Sequence, residues 1–344
     1  KSKRCLMVPA ALLASFLMAN CVSMSGRYDK GSPITIKTAD INGQTKKNQE
    51  NKKGEYLEVK EENRVNDILL LVLIKKSALE IKLYSPEPLR IYGAENFNAP
   101  DFSLTNVSGN VFVNGVDTGK SRIEIFSKTF IRFDSRQYRG TFIAVAADKN
   151  IYLINRVTVN EYLYGVLPSE VAPSWPEEIL KAQAVAARTF ALYGKMNIKN
   201  ELYDLESDVM SQVYKGAGVE SELTNRAVDA TENEIMTKDG KVVQAFFHSN
   251  SGGKTASSAE VWGGKLDYLE SVDDPYCRNG KHYNWEKSVS RQKLAEILAK
   301  NNLKTGEIYD IKITDRTESG RVKTMKIYGS AGTFEVKGKD FRAY

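Results

Sequence analysis

The sequence places one carboxylic acid, Glu170, in a setting that suits acid–base chemistry. Asn160 is a residue type that begins helices and Pro168 a type that ends them, so we expect a short helix between the two. A long Ala-rich helix is expected from about Ser174, because Ser174 and Glu177 have the spacing of a capping box. Glu170 is therefore predicted to lie at a defined position, in the tight connection between two helices.

The residues around Glu170 predict a raised pKa for its carboxyl group. They are apolar or aromatic: Tyr164, Val166, Leu167, Val171 and Trp175. Burial against such a surface disfavours the charged form of a carboxyl group. A carboxylic acid that stays protonated near neutral pH can act as a general acid. A lone glutamate near a helix start is, however, more often a solvated charge that favours the helix dipole.

Three further stretches carry groups that suit a sugar ligand. Residues 207–216 form a polar loop in which Gln212 and Tyr214 share one face if the backbone is extended. Residues 246–255 end a strand and enter a Ser/Gly-rich turn, and residues 259–264 place a Trp beside two glycines. Sugar rings stack on aromatic faces and present hydroxyl and amide edges to polar side chains. Together these stretches indicate a carbohydrate-binding surface.

Other kinds of chemistry have weaker support in the sequence. Ser251 and His248 are two members of a serine-hydrolase set, but the chain has no Gly-x-Ser-x-Gly motif and no clear acidic third member. By default, His248 at a strand end is a structural histidine. Cys277 and His282 are too few to form a zinc site. We therefore expect neither a metal nor a cofactor.

Composition bounds the class of protein and its partners. A chain of 344 residues with 42% hydrophobic content can bury one large core or two smaller ones. The 49 basic and 43 acidic residues leave a net charge of +6, which is too small to argue for a nucleic-acid partner. It is compatible with an anionic polymer or surface. Three cysteines do not make a disulfide framework.

The N-terminal residues predict export and attachment to a membrane. Basic residues precede an apolar run at 6–19, which is the plan of a secretory signal. The run leads to Cys21 and resembles the lipobox of bacterial lipoproteins, so residues 1–21 are predicted to be a signal peptide with lipidation at Cys21. Simple cleavage or an uncleaved anchor is the alternative. Residues 22–67 are polar and are predicted to be a disordered tether, or alternatively a partner-binding arm.

The remaining chain, residues 68–344, predicts an α+β body with a mixed or antiparallel β-rich part and inserted helices. Short β-branched and aromatic runs bounded by turns such as Asn114-Gly115 fill residues 68–159. The run Ile68 to Ile74 is apolar on both faces, which predicts a central strand. Active-site helices and loops are expected over residues 160–270, and a C-terminal α/β part over residues 271–344.

Several motifs, in this order, resemble those of the stage II sporulation protein D family, which includes amidase-enhancer proteins. They are Pro-Ser-Glu-Val at 168–171, Lys-Ala-Gln-Ala-Val-Ala-Ala-Arg-Thr-Phe at 181–190, Ser-Gln-Val-Tyr-Lys-Gly at 211–216, His-Ser-Asn-Ser-Gly-Gly-Lys-Thr at 248–255 and Glu-Val-Trp-Gly at 260–263. Residues 138–140 and 320–322 add weaker signals. The ordered set is more specific than any single motif, and the resemblance extends from about Ile68 to the C-terminus.

The resemblance implies a lytic transglycosylase of the cell envelope. Such enzymes cleave the MurNAc–GlcNAc bond of peptidoglycan without water and leave a 1,6-anhydro ring, here on strands whose stem peptides an amidase has removed. It implies that Glu170 is the catalytic acid and then the base. It also implies a glycan groove lined by Arg188, Ser211, Gln212, Tyr214, His248 and Ser251. Arg188 lies 14 positions after Ser174, about four helical turns, so a structural role for it stays open.

Two other functions fit the same resemblance. One is a non-catalytic, glycan-binding partner that enhances a cell-wall amidase. The other is a mainly structural lipoprotein of the envelope. All three readings share peptidoglycan or its enzymes as partners and exclude nucleic acid.

Overall fold

A computed structural model describes the backbone of residues 35–38 and all atoms of residues 65, 68–197, 200–208, 211–280 and 283–344. The predicted signal segment, Cys21 and His282 lie outside the described residues. So does most of the predicted tether. Within it, however, residues 35–38 form a strand that pairs with residues 234–237, so this short part differs from the disordered tether that we expected.

The described chain divides into two compact units between Phe246 and Phe247. The first unit contains fourteen described strands and three α-helices. Its strands are β1 (Thr35–Thr38), β2 (Leu69–Ser77), β3 (Ile81–Ile91), β4 (Ala94–Val107), β5 (Asn110–Val113), β6 (Val116–Asp117), β7 (Arg122–Phe126), β8 (Ile131–Phe133), β9 (Arg136–Tyr138), β10 (Thr141–Ala147), β11 (Asn150–Thr158), β12 (Leu205–Glu206), β13 (Glu234–Lys238) and β14 (Lys241–Val242). Its helices are α1 (Val159–Glu170), α2 (Glu177–Asn197) and α3 (Glu222–Ala230).

Eleven of these strands form one sheet, in the order β12-β2-β11-β10-β7-β3-β4-β5-β6, with β8 paired to β3 and β9 paired to β8. Every pairing in it is antiparallel except the short one between β12 and β2. The predicted Asn114-Gly115 turn joins β5 and β6, and both residues have positive φ, as a two-residue hairpin requires. The β-rich α+β class is confirmed.

The position predicted for the first apolar strand is wrong. Strand β2 lies next to the edge of the large sheet, because only the two-residue β12 flanks its outer side. Its apolar faces have another explanation. Leu70 and Val72 enter the main core, while Leu71 and Leu73 pack on the opposite face against a second cluster. That cluster consists of Ile143, Val145, Tyr152 and Ile154.

Helices α1 and α2 exist as predicted, but their ends differ. Thr158 caps α1, because its Oγ1 accepts from the Glu161 N–H at 3.3 Å while Glu161 Oε2 accepts from the Thr158 N–H at 3.2 Å. This capping box moves the start ahead of Asn160. The helix continues two residues past Pro168, so Glu170 is its last residue. Helix α2 begins at Glu177, after the expected start at Ser174.

The second unit carries a small sheet and its own core. It consists of α4 (Ser258–Trp262), α5 (Arg291–Lys300), β15 (Ile308–Arg316), β16 (Val322–Gly329), β17 (Gly332–Lys337) and α6 (Gly338–Ala343). The antiparallel order is β15-β16-β17, and the core contains Leu298, Ile308, Met325, Ile327 and Val336. Helix α5 precedes the three strands in the chain, and α6 follows them. Among the helices described in either unit, none has the length and apolar character needed to cross a membrane.

Gly216 provides a test of how the polar loop is closed. Its φ is +72°, and a Cβ at this position would collide with the carbonyl oxygen of Gln137. Gly216→Ala should therefore lower the free energy of unfolding by about 1–3 kcal/mol, measured by urea denaturation. Gly218 has nothing within 4 Å of such a Cβ, so Gly218→Ala is the matched control, with an expected change within about 0.5 kcal/mol. If both substitutions changed the free energy of unfolding equally, Gly216 would not be in close contact with the Gln137 carbonyl.

Candidate active site

Glu170 ends helix α1 and is half-buried. One carboxylate oxygen, Oε1, accepts a hydrogen bond from the backbone N–H of Val213 at 3.4 Å. Burial raises the pKa of the Glu170 carboxyl, and this effect exceeds the opposing effects of the Val213 N–H and the Lys215 charge. The raised pKa expected from its apolar neighbours is therefore confirmed. Two opposing effects therefore act on the Glu170 carboxyl group: burial favours its protonated form, and the Val213 N–H stabilises its charged form.

The charge of the Glu170 carboxyl group acts on Tyr162, a residue that was not singled out in the sequence. It is fully buried, and its pKa is raised first by burial and then by the negative charge of Glu170, so its hydroxyl stays protonated. The Tyr162 hydroxyl donates to Gln212 Oε1 at 3.3 Å. Gln212 Nε2 in turn donates to the Ala187 carbonyl at 3.3 Å. These two hydrogen bonds connect α1, the polar loop and α2.

Tyr214 holds the same loop against helix α1. Its ring packs on Gly165, where a Cβ would lie only 2.6 Å from the Tyr214 Cε2 atom. The next residue, Lys215, donates its N–H to the Gly165 carbonyl at 3.3 Å. The Tyr214 hydroxyl donates to Asn155 Oδ1 at 2.9 Å, which joins the loop to β11. Gly165 and Asn155 are thus part of the site. Their role is visible only from their contacts with Tyr214 in the folded protein.

The burial of Gln212 and Tyr214 corrects the expectation that they line a groove. Both side chains are almost completely inaccessible, and their polar atoms bind protein groups. Gln212 and Tyr214 do share one face of the loop, as expected, because both contact Tyr162. Ser211 is half-buried, and its Oγ accepts from the Glu206 N–H at 3.1 Å, which closes the base of the loop. These three residues shape the loop that presents the Val213 N–H to Glu170.

Arg188 also proves to be buried, so the structural role that the sequence left open is the one supported here. Its guanidinium donates to the Val228 carbonyl at 2.9 Å, the Glu234 carbonyl at 3.2 Å and Thr231 Oγ1 at 3.4 Å. Burial lowers its pKa to about 10, which leaves it cationic at neutral pH. Because Val228 lies in the last turn of α3, this cation satisfies one carbonyl at the negative end of that helix.

His248 and Ser251 belong to the second unit. Ser251 is buried, donates to Asp274 Oδ2 at 2.8 Å and accepts from the Gly253 N–H at 3.1 Å. Arg321 donates to the Ser251 carbonyl at 2.8 Å and so braces the Ser/Gly-rich turn. Burial, followed by the Arg321 charge, lowers the pKa of His248 to about 2, so the imidazole is neutral. The contact of these two residues with a glycan stays a prediction.

The raised pKa of Glu170 has a consequence for stability. Between the ordinary pKa of a glutamate and the raised pKa of the folded state, the folded protein binds more protons than the unfolded chain. This contribution to stability therefore falls as the pH rises. Glu170→Gln removes the titration, so the melting temperature of the variant minus that of the wild type should increase from pH 4 to pH 8.

Glu177→Gln is the matched control for this melting experiment. Its exposed carboxylate pairs with Lys181 at 2.9 Å, and that contact lowers the pKa of Glu177. A lowered pKa has the opposite linkage, so the Glu177→Gln difference should stay constant or decrease as the pH rises. A Glu170→Gln difference that does not change with pH would contradict the raised pKa.

Comparisons with known proteins relate two stretches of the chain to family models. Residues 147–237, which include Glu170, Arg188, Ser211, Gln212 and Tyr214, match the family model described as Stage II sporulation protein. Residues 267–344 match a model described as a domain of unknown function, DUF8618. The first match covers the helices and the loop that hold the carboxylic acid.

Curated relatives agree with the first match. An uncharacterized protein of Brachyspira hyodysenteriae is 32% identical over 231 residues, which are 67% of this chain and 61% of the relative. Stage II sporulation protein D of Bacillus subtilis is 30% identical over 55% of this chain and 58% of the relative. Amidase enhancer of Bacillus subtilis is 30% identical over 58% of this chain and 28% of the relative. The chain thus spans less than two thirds of the length of each relative. The chain therefore carries, at residues 147–237, a domain that matches the Stage II sporulation protein family, and this match agrees with the ordered motifs.

Proposed function

We propose that the protein is a peptidoglycan lytic transglycosylase in which Glu170 acts first as an acid and then as a base. The observation that carries this proposal is the half-buried Glu170 carboxyl, whose pKa is raised by burial and whose Oε1 faces the Val213 N–H at 3.4 Å. One group with these two properties suits a reaction that needs a proton donor and then a proton acceptor at the same place.

The first step uses the protonated form of Glu170. Its proton passes to the oxygen that links MurNAc to GlcNAc while the bond from this oxygen to C1 of MurNAc breaks. Positive charge develops at C1 and on the ring oxygen. Burial supports this step, because it keeps the carboxyl group protonated at a higher pH than that of an exposed glutamate.

The second step uses the carboxylate that the first step leaves. The C6 hydroxyl of the same MurNAc attacks C1, and Glu170 removes the hydroxyl proton as the 1,6-anhydro ring closes. The Val213 N–H and the positive charge of Lys215 both favour the carboxylate form that must exist between the two steps. The first proton leaves on the GlcNAc hydroxyl, and Glu170 regains a proton from the C6 hydroxyl, so no water is consumed and no second carboxylate is required.

The relatives' names support a role at the cell wall together with an amidase. One relative is named Amidase enhancer and another Stage II sporulation protein D. The proposed substrate is therefore the glycan strand that remains after an amidase has removed the stem peptides. The proposed location is the cell envelope, with attachment to the membrane through a lipid on Cys21.

A non-catalytic enhancer of an amidase is the second candidate. The 30% identity to a protein named Amidase enhancer favours it. In this case the chain would bind glycan strands without cutting them, and Glu170 would contribute only to binding or to folding.

The products formed from amidase-treated glycan strands decide between the two candidates. The wild type should produce anhydro-muramyl ends detectable by mass spectrometry, and Glu170→Gln should lower the rate by about 10²–10⁴-fold. Glu177→Gln, in the same helical region, should keep the rate of the wild type. Activity of the wild type should also decline as the pH rises through the raised pKa of Glu170, because the acid form is lost.

Each contrary result has a distinct meaning. Equal products from the wild type and Glu170→Gln would refute the enzyme. If both proteins sediment with strands and neither cuts them, the enhancer is favoured. Reducing ends without the anhydro ring would instead indicate a lysozyme-like hydrolase.

Trp175 offers a candidate stacking surface for a sugar ring close to the acid along the chain. It lies in the connection between α1 and α2, and its side chain is 41% exposed. Trp175→Ala should raise the KM for glycan strands by about three- to tenfold with little change in kcat, whereas Trp175→Phe should retain most of the affinity. Leu223→Ala on α3, which removes a similarly exposed apolar side chain, is the control. An unchanged KM would exclude stacking on Trp175.

A further inference from the structure

Strand β15 in the second unit is the exposed edge of a three-stranded sheet. Among the described residues it pairs only with β16, and every residue after Ile308 is exposed. An edge strand presents backbone donors and acceptors to any other extended segment, and proteins usually shield such an edge. The side chains of β15 therefore indicate whether this edge is shielded or adapted to a partner.

Two isoleucines on this edge lie on the apolar side of the sheet. Ile311 is opposite Ile327, and Ile313 is opposite Met325, so each lies on the same face as a buried residue. Ile311 is nevertheless 38% exposed and Ile313 is 47% exposed. The small core thus leaves Ile311 and Ile313 partly exposed at the edge of the sheet. An added strand would continue the apolar face of the sheet and cover these two side chains.

A polar contact also lies on β15, at the backbone N–H of Ile311. The Ile311 N–H donates to Oδ1 of Asp310 at 2.8 Å, so this amide is satisfied by a side chain rather than by a carbonyl of β16. The other oxygen of the same carboxylate, Oδ2, lies 3.6 Å from Lys312 Nζ. A carbonyl from another strand is able to replace the Asp310 oxygen as the acceptor for the Ile311 N–H. The charges of Asp310 and Lys312 would then be available to pair with charged groups of that strand.

The sequence of β15 is complementary to itself in the antiparallel register whose two-fold axis lies at Ile311. A two-fold axis at Ile311 places Asp310 opposite Lys312 twice and Ile311 opposite its own copy. The same register sets Tyr309 opposite Ile313. An axis at Lys312 or at Asp310 would instead oppose two like charges, which destabilises a strand pair. Because the Ile311 N–H faces outward, the two Ile311 residues would exchange both of their backbone hydrogen bonds.

We propose that β15 pairs antiparallel with β15 of a second copy of the chain, about a two-fold axis at Ile311. The result is a continuous six-stranded sheet with Ile311 and Ile313 covered on its apolar side. This inference does not depend on the proposed function, since it uses only residues of the second unit. An interface of one strand pair is small, so the dimer is weak and forms at about 10–100 µM protein.

A charge exchange tests the pairing. Sedimentation velocity of the purified full chain should show a concentration-dependent dimer. Lys312→Asp opposes two carboxylates in each pair and should weaken association at least tenfold, and Asp310→Lys should do the same. The double variant Asp310→Lys/Lys312→Asp restores opposite charges and should recover the dimer. Lys339→Asp, an exposed charge change on α6, is the control and should leave association unchanged.

Cysteine cross-linking tests the register. In a background with Cys5 and Cys21 changed to serine, Ile311→Cys places two thiols in one hydrogen-bonded pair, with Cα atoms about 5.5 Å apart. That separation is compatible with a disulfide, so oxidation should yield a covalent dimer. Ile313→Cys is the matched control, because its two copies lie about 14 Å apart along the strands and should not cross-link.

Three results would overturn the proposal. The first is a chain that stays monomeric at all concentrations, which would leave shielding of the edge, or a strand from a different protein, as the role of Asp310 and Lys312. The second is a double variant that dimerises no better than the single variants. The third is cross-linking of Ile313→Cys in preference to Ile311→Cys.

Discussion

The closure of one loop onto helix α1 is the interaction on which the candidate site depends. The Tyr214 ring packs on Gly165, and the Lys215 N–H bonds to the Gly165 carbonyl. Only with the loop in this place does the Val213 N–H reach Glu170. A larger residue than glycine at position 165 would lift the ring, and the amide would move with it. The environment of the acid is therefore set by a backbone contact five residues away from it.

The same closure explains the electrostatic state of the acid. Tyr162 and Tyr214 are buried side by side with ring centroids 4.9 Å apart, and burial raises the pKa of both hydroxyls, so neither carries charge. Burial also disfavours the carboxylate form of Glu170. The Val213 N–H and Lys215 oppose that effect only in part. The Glu170 carboxyl group therefore keeps its proton at a higher pH than an exposed glutamate does.

The residues expected to bind glycan divide into two kinds once their burial is known. Arg188, Gln212 and Tyr214 direct their polar atoms to protein carbonyls and side chains, and so hold helices and loop in register. Glu170 is only half-buried and keeps accessible surface, as does Trp175, which was not among the residues expected to bind glycan. A set of ordered motifs therefore marks the framework of a site as strongly as its surface. Sequence motifs alone do not separate the two.

The sequence by itself indicated the candidate acid, the two helices that flank it, the β-rich α+β class and the resemblance to the stage II sporulation protein D family. These features follow from local signals: capping types, apolar spacing, turn residues and ordered motifs. The tertiary structure decided the rest. The helix ends moved because Thr158 and Glu161 form the capping box, and β2 took a place near the sheet edge because separate clusters cover its two faces. Tyr162, Asn155 and Gly165 became site residues only through partners distant in the chain, since hydrogen bonds and close packing between such segments leave no local pattern in a sequence.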